Sequence, residues 1–156
     1  MKVQIICIGK TAFSYLDEGI DLYEKRLKHY LPFEWIIVPE IKKAKNWSAD
    51  QIKQAEGQAL VKIIPSDSVI TLLDVKGKTF TSEEFASFLN TRMISGVKTL
   101  SFIIGGAYGF SPEIYAKAQF KISLSKMTFS HQLVRVVFSE QLYRAMTILR
   151  SEPYHH

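Results

Sequence analysis

The feature that most constrains this chain is an end-to-end alternation. Short, β-rich apolar runs are separated by stretches whose apolar residues recur every three or four positions. Val3 to Gly9, Phe33 to Val38, Val69 to Val75, Thr99 to Ile104 and Phe120 to Leu124 read as five strands. Between the first two, Phe13, Leu16, Ile20, Tyr23, Leu27 and Tyr30 fall on one helical face. Burying each would contribute roughly 1.5–3 kcal/mol, so that face must pack against something. Ser48-x-x-Gln51 reads as a capping box opening a second helix, with Ile52, Ala55, Ala59 and Ile63 inward and Pro65 as its stop. Thr81-x-x-Glu84 opens a third helix, which Gly96 closes. Ser111-Pro112-Glu113 places a cap, a first-turn proline and an acid at the positive end of a fourth. His131 to Arg150 reads as a final helix of about 30 Å.

The Val69 to Val75 run is almost continuously apolar, which suits a strand covered on both faces. Five strands alternating with five helices predict a parallel α/β sheet. Residues 1–156 have the usual size of one domain. Ligands in such sheets bind beyond the carboxyl ends of the strands.

The chemistry-bearing composition narrows the function. A net charge of +5 favours a polyanionic partner without requiring one. Cys7 is the single cysteine; it reads as a small apolar strand residue, and with four histidines it gives no zinc-ligand spacing, so no metal is expected. No run is long enough to cross a bilayer, and the first residues lack a signal-peptide pattern; a cytoplasmic protein is expected. Residues 39–47, with Lys42, Lys43 and Lys45, read as a solvated basic loop in preference to an RNA contact.

Three stretches could carry chemistry. Gly105-Gly106-Ala107-Tyr108-Gly109 follows the fourth strand, where glycines let the backbone turn and approach a ligand. It is a poor dinucleotide fingerprint: the spacing is G-G-x-x-G, and Ser125 and Lys126, not an acid, stand about twenty residues on. Gly77-Lys78-Thr79 ends like a Walker loop, but Leu72 stands where its first glycine belongs, so Gly77 reads as a turn after the third strand. Leu124 to Phe129 mixes apolar and hydroxyl side chains, a composition able to enclose an adenosine. From residue 111 onward six basic residues outnumber three acids. There Glu140 and Arg144 are spaced to pair across one helical turn, and Pro153 to His156 reads as a frayed end. On pattern alone the first is an even choice with a tight β-to-α turn, the second is better read as an ordinary connecting loop, and the third also describes a surface helix with a frayed end.

Taken together, Phe102 to Gly106, Ser123 to Phe129, His131, Val134 to Val136, Glu140 to Ala145 and Pro153 to His155 resemble one family. It is the 23S ribosomal RNA pseudouridine N3-methyltransferase family of the SPOUT superfamily, and the resemblance runs from Lys2 to the tail. It implies a parallel-sheet SPOUT fold with a deep C-terminal trefoil knot, which connection rules alone would never suggest. It implies a homodimer that uses S-adenosylmethionine and acts on 23S rRNA in the large subunit or assembled ribosome. Leu73, Gly105, Leu124, Ser125, Lys126, Met127, Thr128 and Phe129 fall where the family holds its cofactor. His131, Arg135, Arg144, Tyr154 and His155 fall on polar positions around the substrate pocket. The chain departs from some relatives at Tyr108, where they carry an acid or amide. Two other readings stay open: a SPOUT enzyme with another RNA target, and a non-catalytic RNA-binding protein of the ribosome.

Overall fold

The computed structural model describes residues 1–41 and 46–155, the last of these by its backbone alone. Lys42, Lys43 and Lys45 of the basic loop, and His156, lie outside the described residues. Strands β1 (Lys2–Ile8), β2 (Phe33–Val38), β3 (Val69–Thr79), β4 (Thr99–Ile104) and β5 (Phe120–Ser123) alternate with helices α1 (Ser14–Leu27), α2 (Ala49–Ile63), α3 (Ser82–Ile94), α4 (Pro112–Lys117) and α5 (Leu133–Leu149). A 3-10 turn at Pro153–His155 follows. All strand pairs are parallel, in the order β2-β1-β4-β3-β5, which meets the expectation of a parallel α/β sheet.

The apolar runs explain the layers. Alternate side chains of β1 and β4 go to opposite faces, and both faces are covered. Val3, Ile5, Leu100 and Phe102 pack with Leu27 of α1, Phe85 and Leu89 of α3, and Phe138 and Leu142 of α5. Ile6, Ile8, Leu72 and Ile103 pack with Leu60 of α2 and Ile114 of α4 on the other face. Helix starts follow the caps: both capping boxes are present, and Ser111 Oγ accepts from Ile114 N.

Four details differ from the sequence pattern. Phe13 is half-exposed at the N-cap of α1, whereas Leu16, Ile20 and Leu27 are buried. α2 buries Glu56, Gly57 and Leu60 and leaves Ile52, Ala55, Ala59 and Ile63 half-buried. The reason is close packing on α4: a Cβ on Gly57 would meet Ser111 Oγ at 2.3 Å. β3 does not end at Val75. Leu73 and then Lys78 both pair with Ile122, so the strand bulges between them and continues to Thr79. Gly77 is therefore inside the strand, not a turn after it, and its Cβ would lie 2.5 Å from Ile122 N. Finally, α5 starts at Leu133, two residues beyond His131.

Candidate active site

A cavity of about 460 Å³ opens at the bulge of β3 and the carboxyl ends of β4 and β5. β3 supplies Leu73 to Lys76, and β4 leads into Gly105 and Gly106. β5 leads into Ser123, Leu124 and Ser125, and Met127 to His131 with Val134 complete the wall. The size and mainly apolar lining suit a small-molecule ligand.

Each wall has a local cause. After β4 the chain turns back through a Gly106–Gly109 bridge, with Gly109 N donating to Gly106 O at 3.2 Å and Gly109 at φ +80°. At Gly106 a Cβ would sit 2.6 Å from Glu56 Oε2, so a side chain there would have to displace that carboxyl group. The loop after β5 is folded by its own hydroxyls. Ser123 Oγ donates to Ser125 O at 2.8 Å, and Ser125 Oγ accepts from Met127 N at 2.9 Å. Asp74, at the rim, accepts from Lys76 N at 2.7 Å and from the Tyr115 hydroxyl. Burial, and then the Asp74 hydrogen bond, push that phenol up to about 12, so it stays a donor.

Of the residues expected to hold a cofactor, Leu73, Gly105, Leu124, Ser125, Met127, Thr128 and Phe129 line the cavity. Lys126 is exposed and outside the lining. Tyr108 is also exposed and outside it. Asp74, Phe110 and Tyr115 join the lining without having been singled out. Asp74 alone carried a signal, as the one charge inside the apolar Val69 to Val75 run.

The five polar candidates do not gather in one place. His131 lines the cavity. Arg135 does not: it is fully buried and bonded to main chain. Its Nη2 donates to Ile8 O at 2.7 Å, Nη1 to Gly9 O at 3.0 Å and Nε to His131 O at 3.1 Å. Arg144 and Tyr154 form a separate cluster on α1 and α5. Arg144 Nη2 and Nε donate to Glu140 Oε1 at 2.7 and 3.0 Å, and the guanidinium lies 5.0 Å from the Tyr154 ring. The Tyr154 ring packs edge-on to Tyr143 at 4.7 Å, and its hydroxyl lies 3.4 Å from that of Tyr23. The tail as far as Tyr154 is therefore docked, not frayed. Burial foremost, then Tyr23, raises the Tyr154 phenol to about 12. The His155 side chain lies outside the described residues. Among the described residues no group of three or more His, Cys, Asp or Glu side chains could hold a metal ion, and no helix is long and apolar enough to cross a membrane.

Fold and cavity together define a parallel α/β protein with a cavity of ligand size where the ends of β4 and β5 meet the β3 bulge. The family model described as "Predicted SPOUT methyltransferase" matches residues 1–155, and the chain belongs to that family. Proteins named "Ribosomal RNA large subunit methyltransferase H" are similar along the whole length. The one from Christiangramia forsetii is 51% identical and the one from Flavobacterium johnsoniae 53%, each over 100% of this chain and 99% of the relative. The one from Cytophaga hutchinsonii is 49% identical over 100% of both. A solved structure, a probable methylase family protein from Haemophilus influenzae Rd KW20, shares the fold with a TM-score of 0.54 at 13% identity. That match covers 97% of this chain and 69% of the other.

Proposed function

We propose that this chain transfers a methyl group from S-adenosylmethionine to N3 of a pseudouridine in 23S rRNA. It does so as a cytoplasmic homodimer acting on the large subunit or the assembled ribosome. One observation carries the reading: seven of the eight residues at the family's cofactor positions line a single cavity. Relatives half identical over the full length carry the name of a large-subunit rRNA methyltransferase.

The cavity fits the cofactor on its own terms. Leu73, Ile104, Phe110 and Leu124 offer apolar walls for a purine, and the Ser125 to Phe129 backbone offers polar groups for its edges. When bound, S-adenosylmethionine supplies an electrophilic methyl carbon. The protein's part is to align that carbon with the nucleophile and keep water out, mainly a positioning gain. The glycine turn, the hydroxyl-pinned loop and the Asp74–Tyr115 latch hold the walls in place. The nucleophilic nitrogen carries a proton that must leave, so a base within hydrogen-bond reach helps. His155 is the first candidate, because imidazole as a side-chain type can take up a proton near neutral pH, and His131 in the cavity wall is the second. Tyr154, held protonated, acts as a donor or a stacking face and not as a base. Arg144, oriented by Glu140, can meet phosphate or the negative charge left on the ring.

The trefoil knot belongs to the same proposal, with the passage from β5 through residues 124–131 into α5 as the knotted segment. Two tethers support it. Arg135 binds the end of β1, and Gln132 accepts from Ala12 N at 2.9 Å while donating to Lys10 O. Dimerisation explains why Arg144 and Tyr154 lie apart from the cavity of their own chain: each protomer's tail serves its neighbour's cavity. Exposed Phe13, Tyr15, Leu22 and Leu133 on α1 and α5 favour a covered face there.

The test is mass spectrometry of 23S rRNA from ribosomes incubated with the protein and cofactor. One added methyl on a pseudouridine is expected. A methyl on another nucleotide would redirect the target, and no cofactor binding by calorimetry would leave a non-catalytic RNA-binding protein. With His155→Ala, unchanged turnover would remove that imidazole from the mechanism.

A further inference from the structure

A second groove, of about 520 Å³, adjoins the cofactor cavity and shares Ile122 with its wall. It is bounded by Lys78 and Phe80 after the β3 bulge, by Phe88 and Arg92 of α3, and by Phe120 and Lys121 of β5. Its cations lie on aromatic faces. Lys78 Nζ is 4.8 Å from the Phe80 ring centroid, and the Arg92 guanidinium is 3.9 Å from Phe88 and 4.2 Å from Phe120. Lys121 Nζ is 5.8 Å from Tyr115. The described ion pairs, Lys2–Glu34, Lys28–Glu24, Lys53–Asp50 and Arg144–Glu140, leave these three cations out. An aromatic face holds a cation in place without neutralising it, so the positive charge remains available to an anion. The groove also has acids on its lining, Glu83 and Glu84, and Glu84 is committed to the Thr81 cap.

The backbone is arranged to deliver these groups. β3 pairs with β4 only as far as Leu73, and beyond the bulge it pairs with β5 alone. That second pairing depends on Gly77, whose Cβ would meet the β5 backbone. It carries Lys78 past the cofactor cavity to the open edge of the sheet. Cations beside aromatic rings are the combination that single-stranded nucleic acid recognises: phosphates meet the charges and bases stack on the rings. An apolar protein partner would have to strip water from three charges here.

We infer that this groove binds the RNA strand next to the target nucleotide, with Lys78 and Lys121 meeting phosphate and the Phe80–Arg92 wall meeting a base. This rests on the reading of the chain as an RNA methyltransferase. The test compares the full-length protein with its Lys78→Gln/Lys121→Gln variant. Binding to protein-free 23S rRNA and to intact ribosomes is measured across a salt series, with cofactor calorimetry alongside. Both lysines are exposed, and thermal melting checks that the fold is kept. Losing two phosphate contacts should flatten the slope of log K against log salt by about 1.4–1.8. RNA affinity at low salt should fall about tenfold, since each contact draws on counterion release. The ribosome KM should rise with kcat and cofactor affinity unchanged. Lys121→Glu alone, the second variant, should weaken RNA binding more than Lys121→Gln. An unchanged slope in the double variant overturns the inference. So does a loss seen on ribosomes but not on protein-free RNA, which would give the groove to a protein. Failure of the wild type to bind cofactor sinks the methyltransferase reading instead, and the salt slopes still decide the groove.

Discussion

Under Gly106 lies the carboxyl group of Glu56, 8% exposed, with Oε2 lacking a hydrogen-bond partner. Burial first, and then the Glu40 carboxylate, raise its pKa above the ordinary 4.5. The folded protein therefore holds this proton more tightly than the unfolded chain does, and the linkage has a definite sign. As pH rises from below 4.5 through the raised value, the native state loses stability relative to the unfolded one. Glu56→Gln removes that titration. The variant should be more stable than wild type in urea at neutral pH, with the gap closing below about pH 4.5. A gap that stays constant with pH would remove the buried carboxyl as its cause. Arg135 is the opposite case, a buried group with its donors occupied by the Ile8, Gly9 and His131 carbonyls. Arg135→Leu leaves those acceptors without a donor, at a cost of about 1–3 kcal/mol for each that stays dry. Denaturant unfolding should show a loss of about 3 kcal/mol or more. Cofactor affinity, corrected for the folded fraction, should fall only modestly, because the side chain lies outside the cavity lining and touches it through the His131 carbonyl alone. A selective loss of turnover in a stable variant would restore Arg135 to the chemistry.

At the scale of elements, what the sequence revealed and what it hid have separate physical causes. Period and caps are local, so the strands, the helix starts at Ser48, Thr81 and Ser111 and the parallel sheet were all legible. Close approach between distant segments is not local. Nothing near Gly77 in sequence announces β5, and nothing near Gly57 announces Ser111. The inward face of α2 and the length of β3 were misjudged for that reason. The site divides the same way. The cavity-lining stretch from Leu124 to Phe129 was singled out through the family resemblance, whereas the burial of Arg135 follows from carbonyls more than 120 residues away. β3 offers a direct check. Gly77→Ala places a methyl 2.5 Å from Ile122 N, and overpacking of this kind typically costs about 1–3 kcal/mol. Hydrogen exchange should then show Lys78 and Thr79 losing protection while Leu100 to Ile103 in the sheet centre keep theirs. Equal loss in both places would mean that the extension is not a separable part of the sheet.

For the whole molecule, the decisive fact is the distance between two sets of polar groups. His131 and the cavity wall sit at the β3 bulge and the carboxyl ends of β4 and β5, while Arg144 and Tyr154 are fixed to α1 and α5 by Glu140, Tyr23 and Tyr143. The tail is docked on its own chain, so the proposed two-fold dimer would bring one protomer's tail to the other's cavity for both sets to act on one nucleotide. Complementation isolates this requirement. Gly105→Val closes the cavity of its own chain, since a Cβ there already meets Phe110 at 3.1 Å, and leaves its tail intact. Tyr154→Ala does the reverse. Each homodimer should be nearly inactive on ribosomes. After subunit exchange at equal amounts, half the dimers are mixed, each with one complete site, so activity should return to about a quarter of wild type. A mixture no more active than its parents would place every catalytic group within one chain, and Arg144 and Tyr154 would then be holding the tail and nothing else.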